Sequence, residues 1–120
     1  LKYDSIFAYT AMDVQVESRG AVRIVRLKGK ITFELCPDLQ RFLDPIPEAE
    51  VKRVVIDFKE VPFIDSSGIG EILRLFKRIK EAGGEVVLAN PNQKLRDLFL
   101  MYRFNQFMKI QENVDLDADK

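Results

Sequence analysis

The stretch Phe63-Ile64-Asp65-Ser66-Ser67-Gly68-Ile69-Gly70 stands between two segments of opposite character. Before it, Val54-Val55-Ile56-Asp57-Phe58 is an apolar run with little alternation, which suits a parallel strand buried on both faces. After it, an amphipathic pattern sets Ile69, Ile72, Leu73, Phe76 and Ile79 on one helical face and Arg74, Lys77, Arg78 and Glu81 on the other. Gly83-Gly84 closes that helix. Two hydroxyls therefore fall where a strand turns over into a helix. Backbone N–H groups are free at such a point and the helix dipole is positive there, so a negative group on either serine would be accommodated.

Upstream, residues 1–11 show no clear period and read as a native leader or an appended segment, ahead of a domain spanning 12–120. Val14 and Val16 alternate with Gln15 and Glu17 as in a half-exposed strand. Ser18-Arg19-Gly20-Ala21 is a turn, and Val22, Ile24 and Leu27 continue as the return arm of a hairpin. Gly29-Lys30-Ile31-Thr32 leaves that strand, and Cys36-Pro37 opens a helix with Leu35, Leu39, Phe42 and Leu43 on one face. Asp44-Pro45 and Pro47 stop it, and Pro45–Lys52 reads as an exposed connector.

Downstream, Val86-Val87-Leu88-Ala89 is another buried strand. Asn90-Pro91-Asn92-Gln93 supplies a cap, a first-turn proline and a glutamine three residues after the cap, ahead of the stripe Leu95, Leu98, Phe99 and Tyr102. Phe107-Met108-Lys109-Ile110 reads as a short last strand, and the acidic Gln111–Lys120 as frayed or briefly helical. The order is α/β and predicts one domain: a mostly parallel sheet with an antiparallel N-terminal hairpin strand and crossover helices. Loops at the C-terminal ends of such strands gather at one edge. Lys30–Thr32, Phe63–Gly70 and Asn90 are therefore expected as neighbours, and that edge is the candidate site.

Composition narrows the function. At 120 residues the chain forms one domain that buries about two-thirds of its unfolded surface without a metal or disulfide staple. Nineteen basic residues balance nineteen acidic ones, which argues against direct nucleic-acid binding through bulk phosphate attraction. No apolar run approaches a membrane span, so no direct membrane insertion is expected. The single cysteine forms no internal bridge, and a reducing cytoplasm is the natural compartment. There is no histidine, which removes the Ser-His-Asp arrangement and the usual zinc and haem ligands.

The serine turn fits no enzyme motif. A nucleophile elbow needs a glycine where Ile64 stands. Leu73 occupies the third glycine position of a dinucleotide fingerprint, and Glu71 follows Gly70 where a phosphate loop needs lysine. No catalytic residue, metal ligand or cofactor is assigned. Asp65, Ser66 and Ser67 could simply end a strand and cap a helix, but one polar residue suffices for that. On the residues alone, a cap and a modified or binding serine both stand. Cys36 beside Pro37 reads as a small buried residue rather than a reactive thiol. Phe63 is the aromatic placed to touch a partner, and the cluster Arg74, Lys77, Arg78 and Lys80 reads as a solvated helix face.

Asp65-Ser66-Ser67-Gly68-Ile69-Gly70 after the strand Val54–Phe58 resembles the signature of STAS domains, and most closely that of bacterial anti-sigma factor antagonists. Gly29 at the end of the second strand, Pro37-Asp38-Leu39 opening the first helix and Gly83-Gly84-Glu85 before the fourth strand add to the resemblance, which spans about residues 13–111. It implies a phosphorylation-switched antagonist that is not an enzyme. The unphosphorylated form captures an anti-sigma factor serine kinase and frees the sigma factor; phosphate on Ser66 ends the capture. It also implies that Asp65 orders the loop, Ser67 caps the helix and Gly68 lets the partner approach. Thr32, Phe63, Asp65, Ser66, Ser67, Gly68, Ile69 and Asn90 are then the expected partner-binding residues. A STAS subunit of a transporter or stress-signalling complex is the alternative. Members often carry a G-E-L-D-like pattern where this chain has Gly29-Lys30-Ile31-Thr32.

Overall fold

A computed structural model describes residues 13–117; residues 1–11, read above as a leader, lie outside them. Strands β1 (Asp13–Arg19) and β2 (Val22–Lys28) form an antiparallel hairpin. Gly20 stands at φ 60° in the two-residue turn, a conformation open to glycine without a Cβ clash. Helix α1 (Cys36–Leu43), β3 (Arg53–Glu60), α2 (Ser66–Glu81), β4 (Glu85–Ala89), α3 (Gln93–Met101) and β5 (Lys109–Gln111) follow. The five strands lie side by side in chain order, with every pairing after the first parallel. The expected α/β architecture is the one observed.

All three helices bury their apolar stripes on one face of the sheet, against Val25, Val54, Ile56, Phe58, Val86 and Leu88. The other face holds a smaller cluster, Ile24, Val55, Val87 and Ala89, met by Val22 and Leu116. Two-sided burial of Val54–Phe58 is thus found, with helices on one side and the C-terminal segment reaching the other. Within α2 the inward leucine is Leu75, while Leu73, expected inward, is exposed. Ile72 and Ile79 fix the buried meridian; Leu75 lies three and four residues from them, whereas Leu73 is rotated about 100° from Ile72.

Two polar segments are tied down more firmly than their composition predicts. Arg78 donates to the carbonyls of Leu43 (3.1 Å), Asp44 (3.3 Å) and Ile46 (2.9 Å) and to Glu48, so it clamps the connector after α1 instead of facing solvent. Arg74 likewise meets Asp44 and Glu71. The acidic tail, expected to fray, is held as far as Asp117. The Asn90 side chain accepts from Val114 N–H (2.7 Å) and donates to its carbonyl (2.9 Å), and Arg26 donates to Asp117 (2.9 Å).

Glu17 accepts from Arg19 (2.7 Å) and Arg26 (2.5 Å), and these bonds hold its carboxyl at a pKa of about 2, against an ordinary 4.5. The unfolded chain therefore binds this proton first. The contribution is complete above pH 4.5 and disappears as pH falls towards 2. A carbon-detected NMR titration should give a Glu17 midpoint near 2, and Glu17→Gln should lose less stability over that window. A midpoint above about 4 would show that neither arginine holds the carboxylate.

Candidate functional site

Beyond the strand ends, the loops after β2 and β3 are stitched together. Ile31 and Ile64 form an isolated parallel bridge in which Ile31 N–H donates to the Phe63 carbonyl (2.9 Å) and Asp65 N–H to the Ile31 carbonyl (3.0 Å). Both isoleucines are buried, so apolar packing locks the pairing. Asp65 is extended (ψ −178°) and caps α2: Oδ1 accepts from Ser67 N–H (2.9 Å) and Gly68 N–H (3.1 Å). Its Oδ2 accepts from Phe33 N–H (3.0 Å) in the other loop. One carboxylate thus fixes the start of the central helix and the loop 29–35 together.

Ser66 is the first residue of α2 and is exposed; Ser67 and Thr32 are half-buried beside it. Phe63 is exposed, with Lys94 Nζ 5.4 Å from its ring centre. Lys30–Thr32 and Phe63–Gly70 are neighbours as expected. Asn90 has its side-chain partners elsewhere. It takes a left-handed conformation (φ 58°) and turns its side chain to Asp57 (3.1 Å) and Val114, at a cleft of about 470 Å³ lined by Arg26, Asp57, Lys59 and the 112–117 segment. The cap of α3 is Asn92, which accepts from Leu95 N–H at 2.8 Å, so Pro91 precedes the cap instead of following it.

The expectations for Ser67, Gly68 and Ile69 change. The cap of α2 is Asp65, not Ser67, because a carboxylate one residue before the helix reaches two free amides at once. Gly68 and Ile69 are buried and face inward. Glu71 lies beyond the first turn and is buried, with Gln40 (2.6 Å) and Arg74 (3.2 Å) on its carboxylate. Cys36 is buried, and desolvation, with Glu71 and Asp65 adding, pushes its thiol pKa up. It is the inert residue expected.

The two glycines of the signature differ in kind. A Cβ on Gly68 would stand 2.6 Å from Ile64 Cγ1 and 2.8 Å from Ile31 Cγ2, so this glycine lets the bridged loops close on α2. Gly68→Ala is expected to lower stability by about 1–2 kcal/mol, overpacking outweighing the better helix former; an unchanged urea midpoint would contradict that crowding. Gly70 has open space around its Cβ position, and it weakens the helix by about 1 kcal/mol relative to alanine. Sequence reasoning passed over Phe33, which is 69% exposed next to this site. The available signal was an aromatic residue outside any helical or strand period in a predicted edge loop.

Among the described residues no helix is long and apolar enough to cross a membrane. The STAS domain family model matches residues 13–116. The chain belongs to the STAS domain family. The anti-sigma F factor antagonist of Paenibacillus polymyxa is 29% identical over 103 residues, which cover 85% of this STAS chain and 88% of that protein. The solved anti-sigma factor antagonist SpoIIAA in its unphosphorylated form matches with a TM-score of 0.69 at 21% identity, over 88% of this chain and 93% of that one. Phosphorylated SpoIIAA from Bacillus matches with 0.70 at 20% identity, over 88% and 95%. In this STAS domain the exposed serine turn is joined to the loop carrying Thr32 and Phe33 by the Ile31–Ile64 bridge and the Asp65–Phe33 hydrogen bond.

Proposed function

We propose that this STAS domain is an anti-sigma factor antagonist switched at Ser66. The unphosphorylated form binds an anti-sigma factor that is itself a serine kinase, so that a sigma factor is released. Transfer of the ATP γ-phosphoryl group to the Ser66 hydroxyl, with loss of its proton, ends that binding. The observation that carries this reading is the exposed Ser66 hydroxyl on a turn held rigid by Asp65 and the Ile31–Ile64 bridge. A kinase reaches it without unfolding the domain. The kinase supplies nucleotide, metal and base; this chain supplies an oriented acceptor hydroxyl.

The partner face comprises Thr32, Phe63, Ser66 and Ser67 with Phe33 beside them, and Asp65 positions the loop from behind. Gly68, Ile69 and Asn90 leave that face. Similarity to named antagonists supports the reading, and unphosphorylated and phosphorylated SpoIIAA resemble this fold equally, at 0.69 and 0.70. A switch acting at the surface is consistent with that. The test is incubation with the purified anti-sigma factor kinase of the source organism and ATP, followed by mapping of the modified residue by mass spectrometry. Phosphate on Ser66 is expected; phosphate on Ser67 alone, or none, would remove Ser66 from the role.

A further inference from the structure

Seven residues turn an α-helix through about 700°, so Ser66 and Leu73 share one meridian of α2 with Gly70 between them. All three are exposed. Gly70 has no internal reason to be glycine: its φ is not left-handed, and an added Cβ would meet nothing within 4 Å. A glycine inside a helix is unfavourable, and here nothing among the described residues compensates. Leu73, at 38% exposure, presents an apolar side chain on the same line. Phe63 and Phe33, both exposed, lie in the two loops that meet at the serine end. Past Leu73 the stripe runs to Lys77 and Lys80, which are exposed and have no ion pair among the described residues, whereas Arg74 and Arg78 are paired within the domain.

We infer that the anti-sigma factor docks along the Ser66–Gly70–Leu73 stripe of α2, with its closest approach over Gly70. Its surface there is apolar, with a pocket for Leu73, and acidic towards Lys77 and Lys80. This rests on the function proposed above and is continuous with the Ser66 face; it adds the contact line and the reason for the second glycine. Ser66 lies about 6 Å along the helix from Gly70. A phosphate would therefore stand inside the closest contact, with no room for the water or counter-ions that screen it.

The test is titration calorimetry of wild type and variants against the purified serine-kinase anti-sigma factor of the same organism, with ADP present. Gly70→Leu, whose side chain enters open space, should stay folded and bind about 30-fold or more weakly. Leu73→Ala should lose about tenfold, and Leu100→Ala, on α3, should stay within about twofold. Gly70→Ala should raise the folding equilibrium constant about fivefold while lowering affinity about threefold or more. If Gly70→Leu disturbs the fold, Gly70→Ala decides: greater stability with unchanged affinity overturns the inference. Wild-type binding unaffected by a folded Gly70→Leu overturns the docking line alone. Failure of the wild type to bind overturns the antagonist function and the docking line together.

Discussion

Ser66→Asp is expected to weaken binding of the anti-sigma factor kinase by about a hundredfold or more, and phosphate on Ser66 by several hundredfold, while the free domain keeps its fold. A phosphoryl group adds about −1.5 to −2 charges at pH 7. At an unoccupied helix N-terminus it would gain up to about 2 kcal/mol from the dipole. Here Asp65 Oδ1 already takes the amides of Ser67 and Gly68, and the carboxylate itself repels a second anion. Internal gain and repulsion nearly cancel. Because Ser66 is exposed, the phosphate remains in water and the fold has no reason to change.

The complex differs. Pressed against a partner, the same charge loses hydration and screening, at about 3–4 kcal/mol, which corresponds to a factor of several hundred in affinity. Ser66→Ala should bind within about threefold of wild type and stay bound when ATP is added, since only one small hydroxyl is lost. Amide spectra of free Ser66→Asp should differ from wild type only near residues 31–35 and 63–70. Widespread shifts would place the switch in the fold instead of the interface. A phosphorylated protein that still binds with wild-type affinity would end the proposed mechanism.

What the sequence disclosed follows the range of the forces involved. The β3-turn-α2 unit was legible because an apolar run, a polar triplet and a helical period are local signals. The same is true of Cys36-Pro37 opening α1. Long-range contacts were not legible. The pattern made Asn90 the cap of α3, and only its meeting with Val114 and Asp57 assigns it elsewhere. The tail reads as acidic and loose until Arg26, Asn90 and the strip around Val55 supply partners from distant strands. Arg78 looks solvated until the connector folds back over it. Gly68 and Gly70 are equivalent as letters; only the packed Ile31–Ile64 bridge separates an internal glycine from an external one. Of the candidate edge, the meeting of Lys30–Thr32 with Phe63–Gly70 was legible, and the partners of Asn90 were not.

Asp65→Ala is expected to destabilise the domain by about 2 kcal/mol, near 10 °C in melting temperature. Loss of the cap on Ser67 and Gly68 accounts for about half, as for other N-cap residues replaced by alanine. The rest comes from the Phe33 amide, which loses a charged acceptor and with it the tether between the two loops. Asp65→Asn separates these contributions. Its single carbonyl oxygen serves the helix as well as aspartate does, but its NH2 group faces a donor at Phe33, so the loss should stay under about 1 kcal/mol. Hydrogen exchange should then quicken at Phe33 in both variants and at Ser67 and Gly68 in Asp65→Ala alone. The functional consequence is distinct from stability. With the tether cut, Thr32 and Phe33 no longer hold a fixed position relative to Ser66, so binding should weaken in Asp65→Asn even where the domain remains folded. Full stability in Asp65→Ala, or unchanged exchange at Phe33 in both variants, would show that the carboxylate does not join the two loops.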